Sequence, residues 1–227
     1  MFPSYVSSSS GGSTSSPLTV SSVGLGASGT NRMMIVGIAA TSGGTPSLSS
    51  VQLGGVSMQL ICSVTATYGG TVLCSMYALS EVNLPEGASA NLVVSGTFSA
   101  VIAGAILVQN TDQSYSFTYD TYSQNSRTTT FSNTITITPD ALLIDAMGLL
   151  NNGSGGTANS GQTERVDLDQ GSIGALFMSH ENGESSSESM GWSWSNRHRG
   201  QAHIIGALAY SAPSGSGVEA LLLGTEF

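Results

Sequence analysis

The sequence predicts an all-β fold: a two-sheet antiparallel β-sandwich, jelly roll in topology, with extended N- and C-terminal arms. Three observations carry that prediction. Strand patterns, alternating or continuously apolar, run from residue 18 almost to the C-terminus, the clearest being Asn31-Arg32-Met33-Met34-Ile35-Val36-Gly37-Ile38-Ala39-Ala40. Turn-forming clusters of Gly, Ser, Asn and Pro separate them at short intervals. No segment carries a strong amphipathic-helix signal. About ten strands so spaced read as a sandwich.

Residues 1–17 are low in complexity, and Ser7-Ser8-Ser9-Ser10-Gly11-Gly12-Ser13 reads as a linker. They are expected to form an arm anchored on a neighbouring subunit through Phe2, Tyr5 and Val6. The alternative is a tail lying on its own domain. The sandwich domain spans residues 18–211. Residues 18–23 alternate and predict a half-buried strand; residues 33–39 are nearly all apolar, as in a strand covered on both faces. Gly54-Gly55 marks a turn or bulge between short strands. Residues 59–66 and 71–79 predict a hairpin, and Pro85-Glu86-Gly87 a turn-rich connection.

Residues 90–98 and 101–108 follow as strands, the second apolar throughout. Residues 111–127 are polar with Tyr115, Phe117, Tyr119 and Tyr122; the first three alternate and share a face if extended. Residues 128–138 alternate through Phe131, Ile135 and Ile137, and residues 141–150 are apolar around a single Asp145. Residues 151–161 and 181–189 read as loops, with a strand over 171–179. Residues 190–196 and 201–211 are expected to pair as closing strands. Residues 212–227 form a C-terminal arm, a linker-like piece followed by an apolar segment centred on Leu221, Leu222 and Leu223.

Charge excludes several functions. Only 8% of the 227 residues are charged, about a third of the usual share. There is no Lys, and the formal charge is −9. The one cationic cluster is Arg197-His198-Arg199, too little for a phosphate-binding surface, so nucleic acid is not an expected partner. Lys commonly guards open strand edges, so its absence suggests edges covered by loops, tails or neighbours. No apolar run reaches the length of a membrane span, and Met1-Phe2-Pro3 does not open a secretory signal. No cofactor is expected.

Cys62 and Cys74 flank Thr65-Ala66-Thr67-Tyr68-Gly69-Gly70. A turn centred on Tyr68 would set them directly opposite each other, within reach of a cross-strand disulfide. The other reading is two buried free thiols.

No constellation of catalytic chemistry stands out. His180-Glu181 with Glu184 and Glu188 matches no zinc spacing and reads as a solvated loop. Asp167 and Asp169, with Glu164, offer oxygen ligands for Ca²⁺ but lack a binding loop and read as a solvated face. Asp145 inside an apolar run needs a partner, and Arg32 is one candidate. No G-x-S-x-G elbow and no facing carboxylate pair occurs, so the chain reads as non-enzymatic. Trp192 and Trp194, two apart, share a face: core if buried, a sugar-stacking platform if exposed. Tyr115, Phe117, Tyr119 and Tyr122 read as a subunit interface or a glycan surface.

The order of several motifs resembles a β-sandwich (jelly-roll-like) domain of bacteriophage structural and tail-associated proteins and of bacterial surface proteins. The residues carrying it are Asn31-Arg32-Met33-Met34-Ile35-Val36-Gly37, Val51-Gln52-Leu53-Gly54-Gly55-Val56, Cys74-Ser75-Met76-Tyr77-Ala78-Leu79 with Pro85-Glu86-Gly87, Ala105-Ile106-Leu107-Val108-Gln109-Asn110-Thr111-Asp112-Gln113, Ala141-Leu142-Leu143-Ile144-Asp145-Ala146 and Met190-Gly191-Trp192-Ser193-Trp194-Ser195. Each is loose alone; their order over residues 18–211 carries the likeness. The resemblance implies a non-enzymatic virion subunit, a capsid decoration, tail or fibre component. It would be made in the host cytoplasm, with copies of itself and other virion proteins as partners. A carbohydrate-binding or adhesion module at a cell surface, using surface aromatics such as Tyr115, Tyr119, Trp192 and Trp194 on host glycans, is the alternative.

Overall fold

The structure, a computed structural model, describes residues 3–26, 29–150, 155–171 and 174–210, and the side chains of all of these except 196–199. Its strands are β1 (Ser4–Ser13), β2 (Leu18–Gly24), β3 (Met33–Ser42), β4 (Ser47–Leu53), β5 (Val56–Ser57), β6 (Gln59–Thr67), β7 (Thr71–Ser80), β8 (Ser89–Thr97), β9 (Ala100–Gln109), β10 (Thr118–Gln124), β11 (Thr128–Thr136), β12 (Leu142–Leu150), β13 (Thr157–Ala158), β14 (Thr163–Asp169), β15 (Gly174–Asn182) and β16 (Ser187–Leu208). One short 3-10 turn, Glu81–Asn83, is the sole helical element among the described residues.

The architecture is an all-β sandwich, built as two sandwiches back to back. A sheet ordered β2-β8-β4-β5 covers one face of a sheet ordered β1-β9-β3-β7-β6. The other face of that sheet packs on a second large sheet, ordered β10-β16-β12-β15-β14, whose far face is covered by β11, β13 and the first half of β16. The order β1-β9-β3-β7-β6 thus repeats as β10-β16-β12-β15-β14.

Alternation explains how one strand serves two cores. Along β3, Met34, Val36, Ile38 and Ala40 enter the core of the first sandwich, while Met33, Ile35 and Ala39 enter the central layer between the large sheets. Strand β12 sends Ile144 and Ala146 to the central layer, and Leu143, Met147 and Leu149 to the cores of the second sandwich. A strand buried on both faces reads as a continuous apolar run, which is why β3, β9 and β12 do so. The large sheets approach closely over glycines. Gly37 and Gly104 lie opposite each other in register, and a Cβ at either would sit 2.8 or 2.7 Å from the Met178 sulfur. Met76 does the reciprocal on Gly206, 3.0 Å from the corresponding point.

Several expectations are corrected. Residues 4–13, for which an arm on a neighbour and a tail on its own domain are the two readings, form the edge strand β1, paired along β9 of the same chain. Tyr5 packs against the central layer and Val6 against the first core. Phe2, Leu221, Leu222 and Leu223 lie outside the described residues. Residues 190–196 and 201–211 do not pair with each other. Residues 190–196 and 201–208 fall on one strand, β16, whose first half pairs β11 and β13 and whose second half pairs β10 and β12. Gly200, at φ +54°, takes the left-handed conformation between the halves. Cys62 and Cys74 are free and buried. The hairpin turns about Gly69, so Cys62 faces Met76 and Cys74 faces Val64, two residues out of step with a direct pair.

Candidate functional site

The densest polar constellation lies within the second sandwich. Asp145 is fully buried on β12, directly opposite Ser179 on β15. One carboxylate oxygen accepts from the Ser179 backbone N–H at 2.8 Å and its hydroxyl at 2.7 Å. The other accepts from the Trp192 indole at 2.7 Å and meets His203 Nε2 at 2.9 Å. Gln162 closes the network: its amide N–H donates to Ser179 Oγ at 2.6 Å, and its carbonyl accepts from the Gly191 N–H at 2.7 Å. Because a carboxylate only accepts, His203 donates from Nε2, and its Nδ1 has no hydrogen-bond partner among the described residues. Phe131 packs edge-on against His203, with ring centroids 5.2 Å apart.

Ser, His and Asp are the residue types of nucleophilic catalysis, but this arrangement cannot perform it. Ser179 donates to Asp145 and not to the imidazole, and Ser179, Asp145, His203 and Trp192 are each 0% exposed. The network instead ties β12, β15 and both halves of β16 together across the second core. It also corrects the expected Arg32 partner: Arg32 pairs Glu81 at 2.9 Å and donates to the Leu25 carbonyl at 2.7 Å in the first sandwich.

A second group of titratable residues lines the rim near the connection from β15 to β16. Tyr5 stacks on His180 at 5.4 Å, the Arg165 guanidinium lies 3.7 Å over the Tyr5 ring, and Arg165 Nε donates to His180 Nδ1 at 3.0 Å. Burial, aided by the Arg165 charge, pushes His180 down to about 4, so the ring is neutral at pH 7. The adjoining cavity, about 520 Å³, is lined by Tyr5, Asp140, His180, Asn182 and Glu184 among others. Next to it, a concavity of about 450 Å³ gathers Glu181, Glu184 and Glu188. Burial first, then Glu188, Asp145 and Glu184, push Glu181 up to about 7. Among the described residues no three His, Cys, Asp or Glu side chains converge as metal ligands, and Asp167, Asp169 and Glu164 are no exception.

The aromatics expected to bind glycans are dispersed. Trp192 and Trp194 are core residues, 0% and 5% exposed, so neither forms a platform. Their large apolar area is better used packing Phe131, Met147 and Phe177. Tyr115 sits at φ +58°, which breaks the extended run that would align it with Phe117 and Tyr119; its hydroxyl bonds the Ser80 N–H and Oγ. Tyr119 is half-exposed on β10. Tyr122, an odd number of residues further along the same strand, turns to the opposite face and meets Phe131 edge-on at 5.1 Å. There it lines a groove of about 390 Å³ with Gln124, Thr128, Thr130, Ser132 and Asn159. The sequence marked Tyr122 only as one aromatic of a polar stretch; Asn159 lay in an unremarkable loop, with no local signal that the two meet.

Comparison with known protein families, with characterised proteins and with solved structures finds no match for this chain. No helix among the described residues is long and apolar enough to cross a membrane.

Proposed function

We propose that this protein is a non-enzymatic structural subunit of a bacteriophage virion, a capsid decoration, tail or fibre component, with copies of itself and other virion proteins as partners. It would be synthesised in the host cytoplasm and act in the virion. Each sandwich is read as a jelly roll. The orders β1-β9-β3-β7 and β2-β8-β4-β5 support that reading, since apart from the hairpins β4–β5 and β6–β7 successive strands alternate between sheets, as in two interlocked Greek keys. The sealed position of the Ser179–Asp145–His203 network supports a non-enzymatic role.

The observation that carries the assembly reading is the contrast between two equivalent sheet edges. Strand β14 ends one large sheet and holds Glu164, Arg165, Asp167 and Asp169 in Thr163–Asp169. Strand β6 ends the other and holds no charged residue in Gln59–Thr67. Leu60 on it is 49% exposed. A bulge between Leu60 and Cys62 bends this edge, but no charge guards it. An unguarded edge suits a strand that pairs with the next subunit. Leu60→Lys tests this by mass photometry. The wild-type chain should form concentration-dependent oligomers and the variant should stay monomeric. A wild-type monomer throughout the micromolar range, or oligomers unchanged by Leu60→Lys, would refute the edge as the assembly surface.

A further inference from the structure

We propose that the groove beside Tyr122 is a binding site for a neutral saccharide. Its lining pairs an aromatic ring with uncharged hydrogen-bonding groups: Tyr122 is 49% exposed, and Gln124, Thr128, Thr130, Ser132 and Asn159 supply amides and hydroxyls. A pyranose presents one C–H-rich face and a rim of hydroxyls. The face stacks on an aromatic ring, and the rim exchanges hydrogen bonds with amides and hydroxyls. The volume of about 390 Å³ falls within the range of small-molecule sites.

The site is also pre-organised. Phe131 holds Tyr122 at an interplanar angle of 63° and is itself held edge-on by the buried His203. The Trp194 indole donates to the Thr128 carbonyl at 2.8 Å, and Gln124 donates to Ser126 Oγ at 2.9 Å. The Asn159 amide lies across β16 where Gly191 has no side chain; a Cβ there would sit 2.8 Å from the amide nitrogen. That amide has no hydrogen-bond partner among the described residues, so its donors and its acceptor remain for a ligand. A fixed ring and unspent polar groups reduce the ordering cost of binding.

The test is affinity electrophoresis and titration calorimetry of the full chain against neutral oligosaccharides (maltohexaose, cellohexaose, mannohexaose and xylohexaose), with a hexauronate as the charged control. At least one neutral hexasaccharide should bind saturably and the hexauronate should bind no better. Tyr122→Ala should weaken binding about tenfold, while Tyr122→Phe keeps the ring and stays within about twofold. Asn159→Ala should weaken it too, and it carries the test if Tyr122→Ala fails to fold by circular dichroism. The proposal is overturned if no neutral hexasaccharide binds up to about 10 mM, a weak limit of roughly 3 kcal/mol. It is equally overturned if only the uronate binds, or if the folded variants bind as the wild type does. Leu60→Lys leaves this groove untouched, so the assembly reading and the saccharide site stand or fall separately.

Discussion

Asp145→Asn is the most informative single change, because it keeps the shape of the buried centre and alters only its hydrogen bonding. With the Asn oxygen placed toward Ser179, both Ser179 donors keep their acceptor, at 2.8 and 2.7 Å in the wild type. The new amide NH₂ then faces the Trp192 indole N–H and His203 Nε2, which sit 2.7 and 2.9 Å from the original oxygen. The indole donor loses its acceptor inside a dry core, a loss of about 1–3 kcal/mol. His203 could accept at Nε2 only with a proton on Nδ1, which has no partner among the described residues, and an unpaired donor there costs about the same. The two losses share one network and do not add fully, so the expected destabilisation is about 2–4 kcal/mol. Against a typical stability of roughly 5–15 kcal/mol that is a large fraction. Urea unfolding followed by tryptophan fluorescence reads it directly, since Trp192 and Trp194 both lie in the second sandwich. A loss below about 0.5 kcal/mol, the scale of an ordinary surface change, would refute a structural role for the network.

Two further outcomes follow from the titratable groups. Glu181 is raised to about 7 in the folded protein, so its contribution to stability is present below its ordinary range and is lost as pH rises through about 7. The neighbouring His180, lowered to about 4, acts oppositely: its contribution is present above its ordinary 6.5 and falls away as pH drops toward 4. Above pH 6.5 only Glu181 remains, so Glu181→Gln should match the wild-type Tm near pH 4.5 and exceed it at pH 8. The gain should be roughly 1–3 °C, kept small by solvent screening. A gap that does not widen between pH 6.5 and 8 would refute the assignment. Burial pushes Cys62 up to about 12 and Cys74 further still. Both thiols should therefore resist a thiol-reactive dye in the native state and both should react after unfolding in guanidinium. Fewer than two thiols in the unfolded chain would show a disulfide instead.

Patterning alone identified the fold class, the doubly covered strand β3, and the apolar runs that become β9 and β12. Burial on both faces leaves a continuous apolar run that composition cannot disguise. What a strand packs against is not written in its period. Residues 31–40 and 140–149 open the central strands of the two sandwiches at matching register, Met33 opposite Ser80 and Val108, Leu142 opposite Asn182 and Leu208. That equivalence puts Asp145 where the first sandwich has Val36, but only the fold shows it. The Ser-rich β1 carries almost no alternation, because an edge strand beside β9 is held by main-chain hydrogen bonds rather than by its side chains. The cysteine offset turned on one residue of turn phase, which shifts every cross-strand partner by two. The Asp145 network and the Tyr122–Asn159 groove each join residues far apart in the chain. Local sequence encodes which face of a strand is buried; tertiary pairing alone decides which faces, and which polar side chains, finally meet.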